Sequence, residues 1–241
     1  MRFRFGLALL AWLFMLSPAW AEEISVRGTV HPVVVSNLRR MQDTMDAIAL
    51  KDGQPSGLHL HVAARLEPGD RPPEDAHLFL DTKRGPVSLF PEAGNELVPP
   101  LDEALAAENP NVVAALSPNQ EIRFQATASV DRFPANRFTG QDARTWLSTL
   151  DRQISHKTGF LLSAFVPATK SLTVTLPPRS EFSVTENKKI FSLVRNQADR
   201  PYAFTFQPRL YPAEAVFSST RPISGIAMVF PVPFSPWKRT E

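Results

Sequence analysis

The chain has 241 residues, 26 Lys and Arg against 24 Asp and Glu, 23 prolines, 17 phenylalanines, 10 glycines and no cysteine. The missing cysteine excludes disulfide staples and thiolate catalysis, and a near-neutral chain without a long Lys/Arg run is not a nucleic-acid binder. A chain of this length buries enough apolar surface to fold without staples.

The N-terminus reads as a leader. Arg2 and Arg4 precede an apolar stretch over 5–16, and Ala19-Trp20-Ala21 fits the small-x-small rule, so residues 1–21 are a signal peptide cut after Ala21. The leader holds two arginines and no acid, so the remainder carries 24 charges of each sign. The apolar stretch is too short to span a bilayer, no later segment is long enough, and no cysteine follows it to take a lipid anchor. An exported chain without cysteine suits the periplasm, with secretion as the alternative.

Beyond the leader the chain alternates strand-like and helical segments. EISVRGTV (23–30) reads as a strand. Ser36 is placed to cap a helix over 37–50, in which Leu38, Met41, Met45 and Ile48 recur every three or four residues and which Asp52-Gly53 stops. GLHLHVAARL (57–66), AHLFLD (76–81) and PVSLF (86–90) are strands, followed by a short helix over 101–108 that ends before Asn109-Pro110. EIRFQATASV (121–130) alternates cleanly. Thr139 and Asp142 form a capping-box-like start to a third helix, whose stripe is Ala143, Trp146, Leu147, Leu150 and Ile154 and which Gly159 closes. Strands at 160–166, 171–176, 189–195, 202–206 and 223–230 follow. Strands joined by proline-containing turns, without alternating crossover helices, predict a mainly β fold: antiparallel Ig-like or β-sandwich units with about three short helices. The third helix divides them into two β-rich units, 22–138 with an N-terminal helix and 139–241 with a helix and an Ig-like part.

Chemistry-bearing patterns are few. His59 and His61 are two apart on a strand, so both imidazoles point to one face; His77 and Asp81 belong to a neighbouring candidate strand. Paired, those strands would gather a Zn²⁺ or Cu²⁺ site at His59, His61 and His77, while the bland alternative makes the histidines the wet face of a strand. Met41 and Met45 have Cu(I) spacing but occupy the apolar stripe of their helix. A G-x-S-x-G elbow is absent, Ser224-Gly225 has no downstream histidine, and His156 fits as a cation at a helix C-terminus. Glu74-Asp75 and Asp102-Glu103 are sequence neighbours rather than carboxylates facing each other across a sugar. The terminal FPVPFSPW places Phe234 and Trp237 either as a partner-binding tail or as a buried staple.

The stretch SLTVTLPPRSEFSVTENKKIFSLVRNQADRPYAFTFQP (171–208) runs strand, Pro-Pro turn, a strand ending FSLVRN, a D-R-P turn and another strand. It resembles the opening strands of Ig-like modules, including those of periplasmic pilus chaperones, where the Asn and Pro form the turn between sheets. The resemblance implies an Ig-like fold and an assembly or scaffold role; the basic cleft residues of that family find no counterpart here. The leading expectation is a non-enzymatic periplasmic protein that contacts envelope proteins and needs no cofactor. A periplasmic metal-binding protein is the alternative, with hydrolase third.

Overall fold

Alternating apolar residues supply most of the framework. The computed structural model describes residues 25–27, 32–51, 53–68, 78–90, 95–100, 102–158 and 168–231. The strands are β1 (Ser25–Arg27), β2 (Val33–Asn37), β3 (Leu50–Lys51), β4 (Gln54–Pro55), β5 (Leu58–Glu67), β6 (Leu78–Thr82), β7 (Gly85–Ser88), β8 (Asn111–Ala114), β9 (Glu121–Val130), β10 (Arg137–Thr139), β11 (Leu172–Leu176), β12 (Ser180–Glu186), β13 (Lys189–Asn196), β14 (Tyr202–Phe206), β15 (Val216–Ser219) and β16 (Gly225–Val229). The helices are α1 (Leu38–Ala49), α2 (Glu103–Glu108) and α3 (Gly140–Thr158). The chain is mainly β, and its paired strands are antiparallel.

Each helix start shows why it begins where it does. The cap of α1 is Asn37, whose side chain accepts the Arg40 N–H, and not Ser36 as expected. Ser36 is committed to β2 opposite Val112, so the strand runs one residue further and Asn, an equally good cap, takes over. Asp102 caps α2 by accepting from Ala104 and Leu105, and Asn109 ends that helix in the left-handed region at φ 50°. At α3 the expected box forms: the Asp142 carboxylate accepts the Thr139 N–H at 2.8 Å, and the Thr139 hydroxyl accepts the Asp142 N–H at 3.1 Å. The next residue must be glycine, because a Cβ on Gly140 would lie 2.3 Å from the Pro212 carbonyl oxygen. Ala143, Leu147, Leu150 and Ile154 then bury one face of α3, with Trp146 partly covered against Phe138.

The largest sheet is ordered β5-β9-β16-β11-β14, with β1 continuing the β16 position along β9. β5 pairs with β9 along its full length, from Leu58 opposite Val130 to Glu67 opposite Glu121. A second sheet, β10-β15-β12-β13, packs on the β11 and β14 side of the first. Phe182 and Phe217 of the second sheet meet Phe204 and Phe206 of the first, with Phe206–Phe217 centroids 4.8 Å apart. A third sheet is ordered β2-β8-β6-β7, α1 packs chiefly against β5 of the largest sheet and also meets α3 and α2, and β3-β4 is a short hairpin. The largest sheet takes β1, β5 and β9 from before residue 138 and β11, β14 and β16 from after it, and one buried cluster runs through both parts. The strand expected at 160–166, the helix end expected at Gly159 and the leader expected at 1–21 lie outside the described residues.

Candidate functional site

The two histidines fall where alternation put them. Leu58, Leu60, Val62, Ala64 and Leu66 are buried on one face of β5, while His59 is exposed and His61 half-buried on the other. Their rings meet edge to face with centroids 4.8 Å apart. His61 is held at both nitrogens. Nδ1 lies 2.6 Å from Glu96 Oε1, and Nε2 lies 2.8 Å from the Ser129 hydroxyl on β9. Glu96 arrives on a strap along the outer edge of β5: the Ala64 N–H donates to the Asn95 carbonyl, the Leu97 N–H donates to the Val62 carbonyl, and Leu97 is buried.

Ser129, His61 and Glu96 thus line up in the order of a hydrolase triad. The setting argues for a latch instead. Ser129 lies inside β9, opposite His59 of β5 on one side and Ala227 of β16 on the other. Amides around it serve two ladders, and an oxyanion hole needs free donors aimed at one point. The triplet fastens the 95–97 strap to the sheet. The pairing imagined between 57–66 and 76–81 does not form: β6 pairs with β7 and β8, so Asp81 is not delivered to β5. Among the described residues no group of three His, Cys, Asp or Glu side chains is placed to hold a metal ion. His77, Phe234 and Trp237 lie outside the described residues. Met41 is fully buried in the core with Met45 packed against it, and His156 is exposed in the last turns of α3.

A second site lies at the other end of the sandwich, where β13 closes one sheet and β14 the other. Asn187 and Lys188, both at positive φ (48° and 64°), turn the chain between β12 and β13 in the manner of a type I′ hairpin. Register then fixes which side chains face inward. Phe191 is opposite Val184 and Val194 opposite Phe182, while on β14 Tyr202 is opposite Leu176 and Phe204 opposite Val174. The inner partners are buried, yet Phe191 is 49 % and Tyr202 47 % exposed, and Ile190 on the outward face is 73 % exposed. Ile190 and Phe191 form an apolar lip along β13, and Tyr202 is left open on the last strand of the other sheet.

The base of the lip is pinned. The buried Asn196 side chain donates to the Pro177 and Arg200 carbonyls at 2.9 Å each and accepts the Ala198 N–H, fixing the turn from one sheet to the other. Arg179 grips Asp199 with two bonds, at 2.7 and 2.9 Å, and Arg195 reaches Glu181 at 3.0 Å. The Arg179 hydrogen bond holds the Asp199 carboxyl below its ordinary range, and its own guanidinium is raised in return. Glu181 is held below its range first by the Ser192 hydroxyl and then by Arg195. Lys188 and Lys189 project into solvent at the hairpin end.

Sequence reasoning missed Glu96 and Ser129, which are 35 and 68 residues from His61. It also missed Phe191 and Tyr202 as surface groups. The adjacent apolar pairs Ile190-Phe191 and Leu193-Val194 were the available signal, since they load both faces of one strand. No protein-family model, curated protein or solved structure matches this chain.

Proposed function

We propose that this is an exported, non-enzymatic protein of the cell envelope that works by protein–protein contact, accepting an extended segment of a partner along β13. One observation carries the reading: an edge strand of eight residues leaves Ile190 and Phe191 73 % and 49 % exposed. Edge strands are normally short, charged or covered, because their free N–H and C=O groups recruit another strand. An apolar one that carries an uncovered inward-facing aromatic, Phe191, suits strand addition, with backbone bonds supplying affinity and the lip selecting side chains. The leader at 1–21 and the cysteine-free chain support export.

Charge narrows the partner. An antiparallel copy centred on Ser192 would set Lys189 against Arg195, like against like, which disfavours self-pairing. The suitable occupant is a heterologous strand with alternating apolar residues and an acidic residue beside Lys188 and Lys189. The reading is tested with a synthetic peptide of that pattern, ending in glutamates, against a twin ending in lysines. Saturable binding of the acidic peptide, lost on Phe191→Lys, is expected. Equal binding of both peptides, or of neither, ends the proposal.

The metal alternative keeps one observation in its favour, two imidazoles on one face 4.8 Å apart. A Zn²⁺ titration in which His59→Ala leaves binding unchanged would remove it.

A further inference from the structure

We propose that a cleft between α3 and the turn at Pro208–Leu210 binds a compact oxyanion through Arg144 and Arg209. The cleft has a volume of about 420 Å³, opens to solvent and is lined by Gln141, Arg144, Thr145 and Ser148 of α3 and by Arg209. The four helical residues are spaced so that they share one face. The walls are fixed to each other, because the Gln141 N–H donates to the Ala213 carbonyl at 2.8 Å. The cleft shares no residue with the β13 lip.

The two guanidiniums are under-used. Arg144 is half-buried, yet its one hydrogen bond among the described residues runs from Nη2 to the Tyr211 carbonyl at 2.5 Å, and its buried Nε has no partner. A guanidinium carries five N–H donors, and leaving a buried one such as this Nε–H idle is costly unless something arrives to take it. Arg209 approaches Asp151 only to 4.0 Å, and the other oxygen of that carboxylate already accepts the Thr169 N–H at 2.7 Å. The charged residues that line the cleft are thus Arg144 and Arg209, both positive, and the one carboxylate near Arg209 is already partly engaged. The Thr145 and Ser148 hydroxyls donate to the Gln141 and Thr145 carbonyls, so they line the walls without adding charge. Planar forks of this kind match the oxygens of a carboxylate or a phosphate, with bonds roughly twice as strong as neutral ones.

The test uses the full chain. Sodium phosphate and sodium acetate are titrated separately against sodium chloride at equal ionic strength, following heat of binding and melting temperature. Saturable binding of at least one anion is expected, with phosphate alone indicating a tetrahedral ligand and acetate a planar one. Arg209→Gln, at a side chain 52 % exposed, and Arg144→Gln should each weaken binding by roughly tenfold or more. Arg221→Gln, whose guanidinium bonds Pro178 elsewhere, should leave it unchanged. No saturable binding, full binding by Arg209→Gln, or equal loss in Arg221→Gln overturns the proposal. Should Arg144→Gln fail to fold, Arg209→Gln decides.

Discussion

Phe191 lies directly across the ladder from Val184, yet Val184 is 1 % exposed and Phe191 49 %. The difference is one of position. Beyond Val184 the sheet continues to Phe217 of β15, whereas beyond Phe191 it stops. The same inward-facing pattern that builds the core thus becomes a surface at the last strand.

Substitutions on β13 should separate binding from stability. Ile190 points outward, so Ile190→Lys should change unfolding free energy by no more than about 0.5 kcal/mol in a urea melt. Both Ile190→Lys and Phe191→Lys should abolish capture of the acidic-ended peptide by fluorescence anisotropy. Undiminished capture by both variants would refute the assignment of this edge.

The strap latch should be local. His61 and Glu96 are 36 % and 47 % exposed, so Glu96→Ala should cost only about 0.5 kcal/mol after solvent screening. Hydrogen exchange should accelerate selectively at the Ala64 and Leu97 amides, which tie the strap to β5. Unchanged protection at those amides contradicts the latch.

Acid should loosen the turn region in a defined direction. Asp199 and Glu181 are both held below their ordinary carboxylate range, the first by Arg179 and the second by Ser192 and then Arg195. Their stabilisation is therefore complete above that range and disappears as pH falls through the lower folded values. The melting temperature of the native chain should fall more steeply on acidification than that of an Asp199→Asn/Glu181→Gln variant. Parallel curves would show that these carboxylates do not matter.

Core and cap should differ in scale. Phe217 is fully buried among Phe138, Phe182, Phe206 and Tyr211, so Phe217→Ala should cost about 3–5 kcal/mol. Thr139→Ala, which breaks the α3 box, should cost about 1 kcal/mol. Comparable losses by urea melt would mean that the sandwich interior is not packed as described.

Local signals were legible in the sequence and long-range ones were not. The strands at 58–67, 121–130 and 202–206 announced themselves by alternation, and α3 by its box and stripe. β2 (VVVSN) and β8 (NVVA) were missed because short apolar runs carry no period, and β12 (SEFSVTE) because its polar half sits between turns. Nothing within 57–66 says that one edge pairs with β9, which brings Ser129 to His61, or that the 95–97 strap takes the other edge and brings Glu96. The open lip likewise depends on which strand comes last in each sheet, a property of topology and not of any one segment.

The most direct measurement is amide hydrogen exchange across 189–196, alone and with the glutamate-ended peptide. In the free protein, the amides of β13 facing away from β12 should exchange far faster than those of β12, and the acidic peptide should protect them while the lysine-ended twin does not. Full protection in the free protein, or none gained with the acidic peptide, would contradict an open strand edge as the working surface.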